Sequence, residues 1–206
     1  MSAKVKFVFS ITLAIFLGFE AWYYLVRIPR DRVAVETASR VFEKYVGKRD
    51  LQNWSGTVTP SPLRQRLAEG HWSFVFIGYT SCPDVCPLTL GILAKVFTIL
   101  NSGPALTAPI RGVFVAIDQG GEAEEDVKKF TRKFDHRILA FLPKKAEFDS
   151  FVTWLKAGYA PGDGRISHST SIYLIDPIGA LIGEFANPRN AEEIASEFNN
   201  ISRAIP

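Results

Sequence analysis

Residues 71–87 read HWSFVFIGYTSCPDVCP, and the break inside this stretch decides how the chain folds. From His71 to Tyr79 the run is apolar and rich in aromatic and β-branched residues. That is the pattern of a central strand buried on both faces. Thr80 and Ser81 end the run. From Pro87 onward Leu88, Ile92, Leu93, Val96 and Leu100 recur at helical spacing, which predicts a helix over residues 87–100. The only two cysteines of the chain, Cys82 and Cys86, fall in the elbow between strand and helix.

Working outward, the alternation continues. Residues 112–117 (GVFVAI) form a second buried strand, and residues 122–134 a helix with Val127, Phe130 and Phe134 on its apolar face. In that helix Glu122, Glu124, Glu125 and Asp126 come first, and Lys128, Lys129, Arg132 and Lys133 come last. This order matches the helix dipole and gives i,i+4 pairs such as Glu124 with Lys128. The basic run therefore reads as a solvated helix end rather than a nucleic-acid patch. Residues 138–141 read as a short strand and 146–156 as a short helix. Residues 169–175 and 181–185 are strands joined through Asp176-Pro177-Ile178-Gly179, whose residue types suit a type I turn. Residues 191–201 close the chain as a helix capped by Asn190. The order βαβαβαββα implies an α/β domain, a mixed sheet covered on both faces, the order expected of a thioredoxin-like domain over residues 70–206.

The other segments divide the chain further. Residues 7–26 (FVFSITLAIFLGFEAWYYLV) carry one charge, Glu20. Twenty helical residues span about 30 Å, the thickness of the hydrocarbon layer. Trp22, Tyr23 and Tyr24 fit an interfacial aromatic belt. A cleaved leader is the alternative, but Gly18 and Ala21 each have a phenylalanine two residues earlier, unlike an Ala-x-Ala site. No cysteine precedes Cys82 to be acylated. Residues 1–32 are thus expected to be a membrane anchor with its flanks. Lys4 and Lys6 balance Arg27, Arg30 and Arg32, so charge leaves the orientation open. Only six residues precede the apolar run, which favours a bacterial plasma membrane over a mitochondrial presequence. Residues 33–69 are expected to be a stalk and linker. Val33, Ala34, Thr37, Ala38, Val41, Phe42, Tyr45 and Val46 recur at helical spacing before Gly47, and irregular structure follows over 48–70.

Composition bounds the function. With 47% hydrophobic and 22% charged residues the chain falls in the globular range, which excludes disordered or collagen-like classes. A net charge of +3 on 206 residues is too small to imply nucleic acid. Two cysteines exclude a disulfide-stapled miniprotein and a four-cysteine zinc module.

The elbow carries the chemistry. The first four amides of a helix lack partners and carry partial positive charge, which stabilises thiolate, the form that attacks disulfides and binds metal. Cys82 and Cys86 are spaced i and i+4, so both sulfurs can lie on one face. Two convergent thiolates suit a soft ion such as Cu(I), whereas structural zinc asks for four protein ligands. The plain alternative is a stabilising disulfide, although a loop of three residues gains little from closure. A nitrogen ligand must come from His71, His136 or His168. His71 opens a strand and His136 follows a charged helix end. His168 sits between the loop at residues 158–167 and the strand expected at 169, the junction that lies beside the cysteine helix in a thioredoxin-like sheet. Cys82, Cys86 and His168 are therefore the expected Cys2His copper ligands. Thiolate favours Cu(I) and imidazole accepts Cu(I) or Cu(II). No further residue is assigned as catalytic.

Residues 76–87 (FIGYTSCPDVCP) and 168–179 (HSTSIYLIDPIG) resemble the Sco/SenC family of copper chaperones, thioredoxin-like proteins anchored in the membrane. The resemblance covers residues 70–201. It implies copper ligation by Cys82, Cys86 and His168, and delivery to the binuclear copper centre in the copper-binding subunit of cytochrome c oxidase. It also implies that the domain lies outside the cytoplasm, so with the anchor read above the expectation is a single-pass bacterial inner-membrane protein with its domain in the periplasm. The family usually has Ser-Val-Asp-Pro after the second strand. Here the residues are Ala116-Ile117-Asp118-Gln119. The alternative function is a thiol–disulfide oxidoreductase that uses Cys82 and Cys86 to reduce cysteines of a copper-receiving partner. Exchange enzymes of this fold generally place a cis-proline where His168 stands.

Overall fold

The computed structural model describes residues 42–54, 61–118, 120–161, 166–168 and 170–205, with the side chains of 43–49, 53, 159–161 and 166–168 outside the description. The predicted anchor at 7–26 and the stretch 33–41 lie outside the described residues. Among those described, no helix is long and apolar enough to cross a membrane.

The centre of the domain is β2 (Trp72–Gly78), every residue of which is buried. It runs parallel to β3 (Ile110–Ala116), with Trp72 opposite Ile110 and Gly78 opposite Ala116. The other neighbour is the antiparallel β7 (Ile172–Ile175), with Phe76 opposite Ile172. Two faces explain the unbroken apolar run, since successive strand side chains point to opposite sides. Trp72, Phe74 and Phe76 pack on one face with Leu90, Leu93 and Phe97 of the crossover helix α2 (Val85–Asn101). Phe198 of the closing helix α5 (Ala191–Ala204) completes that layer. Val75 and Ile77 pack on the opposite face with Phe148, Phe151 and Leu155 of α4 (Lys145–Leu155). Helix α3 (Glu124–Arg132) connects β3 to the parallel edge strand β4 (Ile138–Phe141). Its Glu124–Lys128 pair forms at 2.8 Å, as the charge order requires.

The strands of the expected hairpin are β7 and β8 (Ala180–Phe185). Asp176 is buried in the turn because its Oδ1 accepts the amides of Ile178 (3.1 Å) and Ala180 (2.7 Å). Gly179 takes a φ of 88°, open to glycine at little steric cost. Asn190 Oδ1 accepts the Glu192 and Glu193 amides, giving the predicted N-cap. The mixed sheet and its helices make a thioredoxin-like α/β domain.

Three local expectations are corrected. The predicted stalk helix gives way at its carboxyl end to β1 (Phe42–Asp50), which pairs antiparallel with β8 and completes the sheet order β1-β8-β7-β2-β3-β4. Apolar residues there satisfy helical spacing, but the unpaired edge of β8 offers backbone hydrogen bonds and Phe42 packs against Phe185, ring centroids 4.8 Å apart and tilted by 56°, so tertiary pairing overrides the local pattern. Second, the expected irregular linker contains a 3-10 turn (Leu51–Asn53) and the short helix α1 (Pro62–Leu67), capped by Ser61 Oγ on the Arg64 amide at 3.0 Å. Third, part of the loop expected at 158–167 pairs as a separate ribbon of β5 (Tyr159–Pro161) and β6 (Ile166–His168), and β7 starts at Ile172 rather than at residue 169.

Candidate metal centre

The site begins where β2 stops. After Gly78 the chain turns, and the Cys82 amide closes the turn on the Tyr79 carbonyl at 3.3 Å. Helix α2 then starts at Val85, two residues before the expected boundary, which places Cys86 inside the first turn. Asp84 stands at the N-cap but makes no side-chain capping bond. The Cys82 sulfur serves instead, accepting the Cys86 amide at 3.4 Å. A thiolate there meets the unpaired amides and the positive end of the helix dipole.

The two thiols are chemically unequal. Both are free. Burial acts to raise the Cys82 pKa, but hydrogen bonds outweigh it and hold this thiol below its ordinary value. They come from the Cys86 amide and thiol, the Asp84 amide and the Tyr79 side chain. Cys86 is completely buried. Burial, reinforced by the Cys82 sulfur beside it, pushes its thiol up to about 12, against the opposing Tyr79 backbone. One sulfur is thus biased toward the thiolate and partly open to solvent, and the other is buried beside it with its proton favoured. Val85 and Leu88, in the first turn of the same helix, are exposed at 38% and 63%.

Gly78 makes the space for Cys86. A Cβ built there would stand 2.7 Å from Cys86 Sγ, 2.9 Å from Phe114 Cε2 and 3.2 Å from Phe76 Cε1. In the sequence Gly78 is one residue of the 76–87 motif with no role of its own. The available signal was a lone glycine in an otherwise bulky buried strand, which often marks close approach of another group.

The three histidines separate by topology. His71 precedes β2, and its Nδ1 lies 2.9 Å from the Glu69 carbonyl. Seven strand residues at about 3.3 Å each put it roughly 20 Å from the cysteine elbow. His136 precedes β4, which runs parallel to β3, so it too belongs to the amino ends of these strands. Its ring is exposed, 3.7 Å from Asp135. His168 is the last residue of β6, its backbone opposite Tyr159. Four residues later β7 enters the sheet with Ile172 opposite Phe76, at the end of β2 from which the cysteine elbow leaves. Its side chain is outside the described residues. Among the described residues no group of three His, Cys, Asp or Glu side chains gathers to hold a metal.

The sequence profile of the SCO1/SenC family matches residues 44–203. The chain is 25% identical over 185 residues to the zebrafish (Danio rerio) mitochondrial SCO2 homolog, covering 87% of this chain and 65% of that protein. It is 24% identical over 200 residues to an SCO2-like protein of Rickettsia prowazekii, covering 92% of this chain and 94% of the relative. The structure of Bradyrhizobium japonicum ScoI with copper bound superposes with a TM-score of 0.54 at 26% identity, covering 66% of this chain and 87% of that one. The match spans nearly the whole described domain, cysteine elbow included, and the chain belongs to the SCO1/SenC family.

Proposed function

We propose that this protein is a membrane-anchored copper chaperone that carries one copper ion on Cys82, Cys86 and His168. The observation that carries the reading is the Cys82 sulfur on the Cys86 amide at the start of α2, with the Cys86 thiol buried beneath it. Two thiol groups i and i+4 on a helix start suit soft Cu(I), and His168 would supply the nitrogen that lets the site also hold Cu(II). Copper is cargo here: it enters at Cys82, displaces the Cys86 proton, and leaves by ligand exchange with a recipient's soft ligands. The copper-bound Bradyrhizobium relative supports the cargo. Family membership supports a recipient in the copper-binding subunit of cytochrome c oxidase. Residues 7–26 would anchor the chain in the bacterial inner membrane, with the domain in the periplasm.

The asymmetry of the thiols favours one second reading, thiol–disulfide exchange. The Cys82 thiolate would attack a partner disulfide and release one partner thiolate. Cys86, on losing its proton, would then attack the Cys82 sulfur, free the second partner thiolate and leave a Cys82–Cys86 disulfide. His168→Ala separates the readings. The chaperone reading predicts a loss in Cu(II) affinity of more than about 100-fold, beyond what loss of an outer hydrogen bond costs a metal site, with Cu(I) affected less. Competition titrations measure both. Unchanged Cu(II) affinity removes His168 from the site, and copper-independent reductase activity that persists in the variant supports exchange.

A further inference from the structure

After β3 the Ile117 amide donates to the Gly78 carbonyl at 2.7 Å, which ties the outgoing loop to the root of the cysteine elbow. Asp118 Oδ1 then accepts the Gly120 amide at 2.8 Å. Gly120 and Gly121 follow with φ values of 98° and 103°, conformations that side-chain-bearing residues rarely adopt. These turns bring the chain back, and the half-buried Glu122 carboxyl accepts a hydrogen bond from the Thr80 amide. Its other oxygen, Oε2, is buried and has no hydrogen-bond partner. Burial raises the Glu122 pKa, and the nearby Asp118 and Asp126 raise it further. A carboxyl kept in such surroundings, on a loop bent by two positive-φ glycines, calls for a reason beyond solubility.

We propose that Glu122 is a positioning residue of the cysteine elbow, acting through the peptide that joins Tyr79 to Thr80. That peptide is planar, so its N–H and C=O turn together. Glu122 holds the N–H, and the C=O accepts the Cys82 amide at 3.3 Å. Fixing one side of the plane fixes the other, and so fixes the backbone from which the Cys82 sulfur reaches the Cys86 amide. The copper consequence rests on the chaperone reading, whereas the positioning itself does not.

The test uses the full chain in detergent, with Glu122→Ala and Glu122→Gln. Three readouts apply: hydrogen exchange at the Thr80 amide, the alkylation rate of Cys82 by iodoacetamide at one fixed pH, and copper affinity. Loss of one charge-assisted hydrogen bond predicts about tenfold faster Thr80 exchange in Glu122→Ala. The Cys82 alkylation rate should change by at least threefold and copper affinity should fall about tenfold. Glu122→Gln keeps an acceptor oxygen and should restore all three to within about threefold of wild type. Unchanged Thr80 exchange in Glu122→Ala overturns the proposal. So does faster exchange with an unaltered Cys82 rate, or a Gln variant as impaired as Ala. The first two readouts need no copper, so they judge Glu122 even if the wild-type chain proves to bind none.

Discussion

Gly78→Ala should fold with reduced stability and lose copper affinity at least tenfold. The added methyl would lie 2.7 Å from Cys86 Sγ and 2.9 Å from Phe114 Cε2, inside van der Waals contact on both sides. Neither neighbour yields easily. Cys86 is fixed in the first turn of α2, and Phe114 is fully buried in the adjacent strand. Overpacking of this kind costs about 1–3 kcal/mol. The sulfur is the atom under greatest pressure, so the strain is relieved by moving the proposed ligand away from Cys82. Gly91→Ala is the control, because a Cβ there meets nothing within 4 Å in the middle of the same helix. It should stabilise the fold by up to about 1 kcal/mol and leave copper binding alone. Urea unfolding and chelator competition measure the two effects separately. Wild-type copper affinity in Gly78→Ala would show that the Cys86 sulfur need not stay where it is.

Copper affinity should also rise steeply with pH. Cys86 holds its proton up to about 12, and a thiol must lose its proton to bind metal. Below that value each unit of pH raises the apparent affinity about tenfold, so between pH 6 and 8 the gain is about 100-fold from this one proton. Cys82, lowered by its hydrogen bonds, adds to the slope only below its own pKa. The sign follows from the pair: protons compete with copper, and acid favours release. Chelator competition at several pH values, corrected for the chelator's own titration, gives the slope. A flat profile over this range would mean that both thiols are already ionised, against the burial of Cys86.

What the sequence disclosed depended on how local each cause was. The central strands were legible because burial on both faces leaves an unbroken apolar run, as in β2. The cysteine elbow was legible because the strand, the prolines and the following helix all lie within residues 71–100. By contrast, β1 exists through its pairing with β8, more than a hundred residues on, while its own apolar spacing pointed to a helix. Helix α1 is six residues long, too short for periodicity to register, although Ser61 followed by Pro62 was a usable start signal. The roles of Gly78 and Glu122 arise from contacts with Cys86, Phe114 and Thr80 across the fold, and residue type alone does not reveal them. His168 stood out only because the topology of a thioredoxin-like sheet returns the chain at that point.

In the proposed site one copper ion sits between two cysteine sulfurs and one histidine nitrogen. X-ray absorption spectroscopy of the copper-loaded, reduced full chain, beside His168→Ala, tests it directly. One copper per chain is expected, with two sulfurs and one imidazole nitrogen in the wild type and the nitrogen absent from the variant. An identical coordination shell in both proteins, or copper retained after both thiols are alkylated, would contradict it.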